Sequence, residues 1–314
     1  MAKQLFSLIK LLRPRQWVKN LALFAAVVFT GQLFNPIAVY PVIIGFIVFC
    51  AASSGAYIIN DIIDRKKDRL HPFKKFRPIA HGDVSIPLAS AIAFILISFS
   101  LFLATYVNFA FFLLVILYMV LQISYSTILK SITVIDILAI AAGYILRVYG
   151  GDVASGYHIS VWLLLTTISI SLFLAVGKRR SELTLIAESK LENIAATRKT
   201  LSHYSDRLLD VYAAIFATST FISYALFTFL ENPKGINLTF GDIFFLQNPI
   251  LFPKKWLMIT IIPVVYGLMR YLQDIYENNE GESPEKVIFS DKPLLITIAV
   301  WSLMVIGIIY FITP

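Results

Sequence analysis

Nine runs of apolar residues, each long enough to cross a lipid bilayer as a helix, follow one another through the 314-residue chain. Their approximate limits are 17–34, 37–60, 86–106, 109–124, 134–153, 160–177, 209–230, 255–273 and 293–313. Within a bilayer the backbone must satisfy its own hydrogen bonds, and a helix does so inside a single segment. The hydrophobic share of 58% fits such a protein. The sequence therefore predicts an all-α, polytopic membrane protein with nine transmembrane helices, folded as one domain over residues 1–314.

The positions of lysine and arginine predict how these helices are oriented. Most basic residues lie in the amphipathic N-terminal arm (1–16) and in the loops 61–85, 178–208 and 270–292, which successive crossings place on one side. Cytoplasmic loops carry the excess of Lys and Arg, so the N-terminus is predicted to be cytoplasmic and Pro314 to lie outside, as in a bacterial inner membrane. The net charge of +8 sits in short loops, which favours membrane lipids and phosphorylated substrates over nucleic acid as partners.

The end of the second apolar run carries the clearest chemical signal, because Asn60, Asp61, Asp64 and Asp68 follow it closely. In a helix, residues 60, 64 and 68 share one face, and Asp61 lies within a turn of Asp64. Carboxylates on one stripe repel each other unless a cation lies among them. Mg2+ prefers oxygen ligands and usually completes its shell with substrate phosphates. We therefore predict that Asn60, Asp64 and Asp68 hold Mg2+ beside a diphosphate, and that Asp61, Asp64 and Asp68 are catalytic.

A basic loop follows this acidic helix end and supplies cations next to it. Lys74 and Arg77 lie between prolines, and Gly82 ends the segment, so the loop is stiff and cannot continue the helix. Carboxylates that hold Mg2+ beside basic groups that hold phosphate oxygens form a diphosphate clamp. The simpler interpretation of the basic residues alone is a solvated loop that sets membrane orientation.

Two further polar clusters stand at the same ends of later helices. In the first, Lys130 is a lone cation in a very short loop between Tyr125 and Asp136, and it is predicted to bind a phosphate and to be catalytic. The second is the segment 177–182, which combines three cations with one acid that could orient them. Each cluster also has a simpler interpretation as an orientation or stop-transfer signal. Arg147, deep in the fifth run, must face the protein interior and pair with a carbonyl or an acid, or shape a lipid pocket.

The acidic pattern N-D-x-x-D-x-x-x-D, followed by R-P-I-A-x-G within nine spans, resembles the UbiA-type superfamily of intramembrane transferases. The resemblance implies a helical bundle around a cavity open to the cytosol. Most members move a prenyl group from its diphosphate to an aromatic acceptor, and they carry a second aspartate-rich motif after the sixth span. Here that position reads Gly177-Lys178-Arg179-Arg180-Ser181-Glu182, which departs from the pattern.

Four segments, 12–20, 125–136, 177–182 and 284–291, instead resemble the decaprenyl-phosphate phosphoribosyltransferase branch. This resemblance implies transfer of 5-phosphoribose from phosphoribosyl diphosphate to a polyprenyl phosphate, with Mg2+, release of diphosphate and a place in cell wall biosynthesis. Such substrates bring two phosphates besides the diphosphate, and the extra cations match them. The residues expected to contact substrate are Arg13, Gln16, Lys19, Asn20, Lys74, Arg77, Tyr125, Lys130, Asp136, Lys178, Arg179 and Glu182.

Two alternatives stay open at this point. The first is a prenyltransferase that moves a polyprenyl group from its diphosphate to an aromatic or other small acceptor. The second is a transporter or a noncatalytic scaffold, which is less favoured because transporters often show inverted repeats and interrupted midplane helices. In this chain the charged motifs are instead predicted to lie at the cytoplasmic ends of the helices, on one face of the membrane. The sequence sets neither the length of the polyprenyl chain nor whether the protein forms a homo-oligomer.

Overall fold

The computed structural model describes residues 2–70, 74–188, 203–231, 255–276, 287 and 290–312; for residues 2–5 and 185–188 the backbone alone is described. The α-helices are α1 (Ala2–Leu12), α2 (Ala25–Phe29), α3 (Pro36–Leu70), α4 (Pro78–His81), α5 (Ile86–Thr105), α6 (Phe109–Thr127), α7 (Ile135–Ser155), α8 (Val161–Glu188), α9 (Asp206–Leu230), α10 (Ile261–Tyr276) and α11 (Lys292–Gly307). The 3₁₀ helices are Pro14–Phe24, Lys74–Phe76, Leu129–Ser131 and Trp256–Thr260, and π-helical residues Ile308–Ile312 extend α11. The described residues contain no strand, so the all-α prediction is confirmed.

Eight helices among the described residues are long and apolar enough to cross a membrane. They coincide with eight of the nine predicted runs, and α3 extends beyond its run to Leu70 because the acidic motif continues the helix. The remaining run, 17–34, corresponds to the 11-residue 3₁₀ helix Pro14–Phe24 and the short α2. A 3₁₀ helix rises about 2 Å per residue instead of about 1.5 Å, so this stretch covers more length than an α-helix would. The count of nine helices is therefore approximate.

Contacts divide the chain into two compact units, each with its own packing. The first unit contains Met1–Leu23, Tyr40–Ala154 and Glu192–Tyr204, and the second contains Phe24–Val39, Ser155–Leu191 and Ser205–Pro314. The acidic motif at the end of α3 lies in the first unit, and the segment 177–182 lies in the second. The single domain over 1–314 stays a prediction.

The amphipathic arm of the first unit packs onto the end of α3 that carries the acidic motif. Leu11 of α1 lies in one buried cluster with Ile58 of α3, Ile79 of α4 and Ala89 of α5. Beyond the arm, the indole nitrogen of Trp17 donates to the Ser54 hydroxyl at 3.0 Å, and this hydroxyl donates to the carbonyl oxygen of Leu12 at 2.8 Å. These contacts fix the turn between α1 and the 3₁₀ helix, and so they position Arg13 beside the acids.

The 3₁₀ helix Pro14–Phe24 approaches α7 more closely than any side chain would allow. A Cβ atom added to Gly151 would lie 1.7 Å from the carbonyl oxygen of Leu23. The neighbouring Gly150 lies against the ring of Phe49, which is fully buried. Consecutive glycines therefore permit the backbone contact that holds the 3₁₀ helix in the first unit.

Hydroxyl and indole pairs connect the helices of the second unit. Ser169 of α8 and Ser219 of α9 lie at hydrogen-bond distance, 3.0 Å. The indole nitrogen of Trp301 donates to the Tyr224 hydroxyl at 2.8 Å, and Tyr224 in turn pairs with Thr260 at 2.7 Å. Polar groups on lipid-crossing helices need such partners because no water is present at that depth. These side chains thus connect α8 to α9, and α9 to α11 and to the 3₁₀ helix Trp256–Thr260.

Replacing Gly151 with alanine is expected to destabilise the protein, because the new methyl group would overlap the Leu23 carbonyl and force the backbone apart. Overpacking of this kind costs about 3 kcal/mol or more when backbone must move. Thermal unfolding in detergent should show a melting temperature lowered by about 5 °C or more. Gly307→Ala is the control, since a Cβ atom there meets nothing within 4 Å. Equal melting temperatures for the two variants would contradict the close approach.

Candidate functional site

Each carboxylate of the acidic motif is held by a cation from another segment of the first unit. Arg13 donates from Nη2 to Oδ1 of Asp61 at 2.5 Å, and Arg77 donates to the same oxygen at 3.1 Å. Arg77 also donates to Oδ2 of Asp68 at 2.7 Å. Asp61 and Asp68 are both buried. The structure therefore brings Arg13 and Arg77 to the acids, as expected for a clamp that holds both signs of charge.

Lys130 completes this set by pairing with the remaining acid. It lies on the 3₁₀ helix Leu129–Ser131, and its ammonium donates to both oxygens of Asp64, at 2.6 and 2.7 Å. The two side chains are 15% and 18% exposed, so the pair stays accessible to a ligand. Lys74, in the 3₁₀ helix Lys74–Phe76, is half-buried and attracts Asp68 electrostatically. The catalytic and substrate-binding roles of these residues stay predictions.

The backbone at Arg13 adopts an unusual conformation that aims its side chain. Arg13 has φ of +54°, in the left-handed region that residues with a Cβ rarely occupy. Such strain concentrates at functional sites. The guanidinium carbon lies 5.0 Å from the ring centroid of Tyr57 and bonds Asp61. Burial opposes its charge, but attraction by Asp61 outweighs this effect and raises the pKa of Arg13 above its ordinary value.

The predicted contacts on the 3₁₀ helix Pro14–Phe24 lie deeper than Arg13. Lys19 donates to Oε1 of Gln16 at 2.7 Å, and the Tyr57 hydroxyl donates to the same oxygen at 3.3 Å. Asn20 is fully buried and donates to the sulfur of Cys50 at 3.3 Å. Gln16 and Lys19 thus face the α3 side of the first unit together, whereas Asn20 lies farther inside.

Arg147 of α7 lies next to Asn20 in the interior of the first unit. Its Nε donates to Oδ1 of Asn20 at 2.7 Å, its Nη1 to the carbonyl oxygen of Gly143 at 2.5 Å, and its Nη2 to the Tyr118 hydroxyl at 2.8 Å. The prediction that Arg147 pairs with an interior carbonyl is confirmed. The amide of Asn20 and the hydroxyl of Tyr118 are partners that the sequence pattern did not indicate.

Asp136 is fully buried at the start of α7, where a tyrosine from a distant segment reaches it. The Tyr204 hydroxyl donates to Oδ1 of Asp136 at 2.7 Å and accepts from the amide of Val134 at 2.7 Å. Val134 has φ of +70°, a strained value for a β-branched residue. Tyr204 was not among the predicted site residues, because a tyrosine beside a loop gives no periodic signal in the sequence. Tyr125 is half-buried near the end of α6, and its role stays a prediction, as does that of Asp136.

The basic segment of the second unit forms ion pairs along α8 and α9. Arg179 is fully buried and donates to Glu182, one turn later. Arg180 bonds Asp210 at 3.0 Å and Asp206 at 3.1 Å, two contacts that sequence analysis did not identify. Lys178 is half-buried, and its predicted contact with substrate, like those of Arg179 and Glu182, stays a prediction. Within the segment 284–291, residues 284–286 and 288–289 lie outside the described residues, as does Pro314.

The oxygen donors of α3 fit a hard divalent cation in kind. In the described part of the chain, no three His, Cys, Asp or Glu side chains converge as a ready-made metal cage. Asn60, Asp61, Asp64 and Asp68 nevertheless offer only oxygens, on adjacent turns of one helix. Their carboxylates already attract cations, since Arg13, Arg77 and Lys130 occupy them. Mg2+ that brings phosphate ligands of its own needs only one or two carboxylates, and this donor set provides them.

Comparison with known proteins agrees with this geometry. A family model described as the UbiA prenyltransferase family matches residues 21–290. Decaprenyl-phosphate phosphoribosyltransferase from Corynebacterium glutamicum is 34% identical over 308 residues, covering 96% of this chain and 86% of that protein. The protein of the same name from Mycolicibacterium smegmatis is 34% identical and covers 97% and 92%. The one from Mycobacterium tuberculosis strain H37Rv is 31% identical over 297 residues, covering 93% and 91%.

Solved structures with a similar fold come from an archaeal protein. A UbiA homolog from Archaeoglobus fulgidus, bound to GPP and Mg2+, has a TM-score of 0.69 at 18% identity, covering 96% of this chain and 99% of that chain. The same homolog bound to DMAPP and Mg2+ has a TM-score of 0.68 at 19% identity, covering 96% and 98%. At such identities the likeness concerns the fold.

Arg77→Ala is expected to destabilise the protein, because it removes a cation shared by two buried carboxylates, Asp61 and Asp68. A buried charge that loses its partner costs about 3–5 kcal/mol, and the loss here should lie toward the lower end because Arg13 still compensates Asp61 in part. The melting temperature in detergent should fall measurably. Lys75→Ala is the matched control from the same loop, where the side chain is exposed and contacts the ring of Phe76. A fall of the same size in Lys75→Ala would show that the loop, and not the ion pair, is responsible.

Proposed function

The chain belongs to the UbiA prenyltransferase family, and we propose that within it this integral membrane protein transfers 5-phosphoribose from phosphoribosyl diphosphate to a polyprenyl phosphate. Relatives that span nearly the whole chain are decaprenyl-phosphate phosphoribosyltransferases. The observation that carries the proposal is the set of ion pairs at the end of α3. Three carboxylates and three cations meet there, in a site that can receive both a metal ion and phosphate groups.

The balance of charge favours a substrate pair with many phosphates. Phosphoribosyl diphosphate brings a 5-phosphate in addition to its diphosphate, and the acceptor adds a further phosphate. Arg13, Arg77 and Lys130 supply cations around the acids, and Lys74 lies close to Asp68. A prenyl diphosphate with an uncharged acceptor carries fewer anionic groups. The cation-rich site therefore matches phosphoribosyl transfer better than ordinary prenyl transfer.

The reaction breaks the bond between ribose C1 and the diphosphate oxygen, and the diphosphate leaves with the electron pair. An oxygen of the lipid phosphate forms the new bond to C1. Because a phosphate monoester is largely ionised near neutral pH, the acceptor needs no strong general base. Positive charge develops on the sugar ring while negative charge grows on the leaving group. Lys130 and Arg77 would donate hydrogen bonds to that leaving group, which stabilises it as the bond lengthens.

Asn60, Asp64 and Asp68 are the residues that would hold Mg2+, with Asp61 as a ligand or a supporting partner. When bound, the ion supplies charge neutralisation to the diphosphate. Each carboxylate would then exchange a cationic side chain for the metal, and Arg13, Arg77 and Lys130 would become available to phosphate oxygens. Each acid and each cation would then keep a partner of opposite sign after the substrate binds. Lys178, Arg179 and Glu182 are proposed as further substrate contacts.

We further infer a bacterial inner membrane location in which the N-terminus and the end of α3 at Asp64 face the cytoplasm, and the C-terminus lies outside. The support is the concentration of Lys and Arg in the N-terminal arm and in the loops after α3 and α8. A soluble sugar donor is then accessible from the same side as the acids. The acceptor's apolar tail extends into the bilayer.

The proposed function is tested with the purified protein, ribose-labelled phosphoribosyl diphosphate, polyprenyl phosphate and Mg2+. Wild-type protein should yield a labelled lipid, and chelation of Mg2+ by EDTA should abolish it. Asp64→Asn should lower turnover about 10²- to 10³-fold, the size typical of losing one group that stabilises transition-state charge, because the neutral amide would hold Mg2+ less tightly than the carboxylate. Asp83→Asn is the control, because this carboxylate pairs with His81 in the loop and lies outside the acidic motif.

Analysis of the product also distinguishes phosphoribosyl transfer from the alternative, prenyl transfer to a small acceptor. A labelled lipid that forms only from a prenyl diphosphate and a small acceptor would replace the proposal with prenyl transfer. Wild-type turnover in Asp64→Asn, with the protein folded, would remove the metal assignment and leave the reaction intact.

The orientation is tested by cysteine labelling in intact cells. Cys50 is the one cysteine of the chain, so Cys50→Ala gives a background without thiols. In that background His81→Cys should resist a membrane-impermeant maleimide, whereas Tyr106→Cys, on the opposite end of α5, should react. Both side chains are exposed, so access to the thiol does not differ for structural reasons. The reverse labelling pattern would invert the topology.

A further inference from the structure

Arg147 is a buried cation whose hydrogen bonds all go to uncharged oxygens within the described chain. It is 4% exposed and donates to Asn20, the carbonyl of Gly143 and Tyr118. Its guanidinium carbon also lies 4.9 Å from the ring centroid of Tyr118. A buried charge without a counter-ion is expensive, above all in a helix that crosses a membrane. The amide, carbonyl and hydroxyl oxygens and the Tyr118 ring stabilise this guanidinium, but among the described residues no carboxylate neutralises its charge.

Lys19 brings a second positive charge to the same place. Its ammonium lies 5.8 Å from the ring centroid of Tyr144, and the guanidinium carbon of Arg147 lies 5.9 Å from that same centroid. Lys19 also donates to Gln16, which accepts from the Tyr57 hydroxyl. We name this group the inner cationic cluster; its members are Gln16, Lys19, Asn20, Tyr57, Tyr118, Tyr144 and Arg147. It joins two cations to three phenol groups and two amides.

The inner cationic cluster lies deeper along α3 than the acidic motif does. Tyr57 precedes Asp61 by one helical turn, about 6 Å, and Ser53, which accepts from Asn20, precedes Asp61 by about 12 Å. The bond from Arg147 to Gly143 directs the guanidinium back along α7, toward the end where Asp136 lies. Arg13 connects the two regions, because it contacts both the ring of Tyr57 and Asp61.

We propose that the inner cationic cluster binds the phosphate of the lipid acceptor, with Lys19 and Arg147 as the charged contacts. This inference rests on the proposed function and assigns a place to its second substrate. The oxygen that attacks ribose C1 must approach the face opposite the departing diphosphate, so the two anionic groups need separate cationic sites with the sugar between them. The acids and their partners at the end of α3 serve the diphosphate. The inner cationic cluster, one turn or more deeper, serves the acceptor.

The donor's 5-phosphate has the same chemistry as the acceptor's phosphate, and depth distinguishes the two. A soluble donor enters from water at the charged end of α3. The acceptor's phosphate is fixed to an apolar tail in the bilayer, so it reaches a site that lies toward the membrane interior. Burial of the cations also strengthens their attraction for a phosphate that has left water.

Steady-state kinetics with both substrates test the assignment. Lys19→Gln and Arg147→Lys should each raise KM for polyprenyl phosphate about tenfold or more, the loss expected when one charge-assisted hydrogen bond is removed or misplaced. KM for phosphoribosyl diphosphate should stay within about twofold of wild type, because the acidic motif is intact. Lys10→Gln is the control, since this cation of the N-terminal arm donates to the carbonyl oxygen of Phe76, outside the inner cationic cluster.

Binding of the acceptor alone gives a readout that does not depend on turnover. Polyprenyl phosphate, without donor or Mg2+, should raise the melting temperature of detergent-solubilised wild type and of Asp64→Asn. The rise should be absent in Lys19→Gln and Arg147→Lys. If Arg147→Lys does not fold, Lys19→Gln alone decides.

The outcomes separate this inference from the proposed function. Variants that raise KM for phosphoribosyl diphosphate instead of the acceptor would place the 5-phosphate in the inner cationic cluster and overturn the inference, while the function stands. Unchanged KM values for both substrates in Lys19→Gln would overturn it as well. Lipid-phosphate binding that needs Lys19, in a wild-type protein that forms no labelled lipid, would uphold the binding site and refute the reaction.

Discussion

The ion pairs at the end of α3 are the interaction on which the candidate site depends. Three carboxylates follow the apolar part of α3 on successive turns. They can lie close together because Arg13, Arg77 and Lys130 form ion pairs with them. These cations come from three segments that are far apart in sequence. The acids therefore connect the N-terminal arm, the loop before α5 and the turn between α6 and α7 to one helix end.

Under the proposed function this site offers partners both to a metal ion and to phosphate groups. The carboxylates would hold a metal ion in place of cationic side chains, and the released side chains would bond phosphate oxygens. Each charged side chain of this set would then keep a partner of opposite sign in both states, which matters because an unpaired charge in this environment costs several kcal/mol. The same ion pairs that stabilise the protein alone would thus preorganise the cations that a phosphorylated substrate requires. On this proposal, stability and substrate binding depend on one set of residues.

The sequence predicted those features that depend on the length of an apolar run or on the regular spacing of residues in a helix. Eight of the nine predicted apolar runs coincide with long helices, because within one segment only a helix satisfies its backbone in a bilayer, and a four-residue spacing placed Asn60, Asp64 and Asp68 on one face of α3. Conformations that leave no periodic trace were not predictable: the 3₁₀ helix Pro14–Phe24, the positive φ of Arg13 and the bond from Tyr204 to Asp136. Each depends on contacts between distant segments, which a single sequence does not reveal.

The first unit contains cations that are paired with carboxylates and a buried cation that is bonded to neutral oxygens, and the two kinds suit different anionic ligands. Arg77 and Lys130 are bonded to carboxylates, so a ligand must compete with an acid to reach them, and a metal-bound diphosphate brings the charge to do so. Among the described residues Arg147 bonds neutral oxygens alone, so a phosphate monoester would need no metal to bind there. A prenyl diphosphate with a neutral acceptor requires only the first kind. The presence of both kinds, at different depths along α3, is the charge pattern that a reaction between a diphosphate donor and a phosphate acceptor demands.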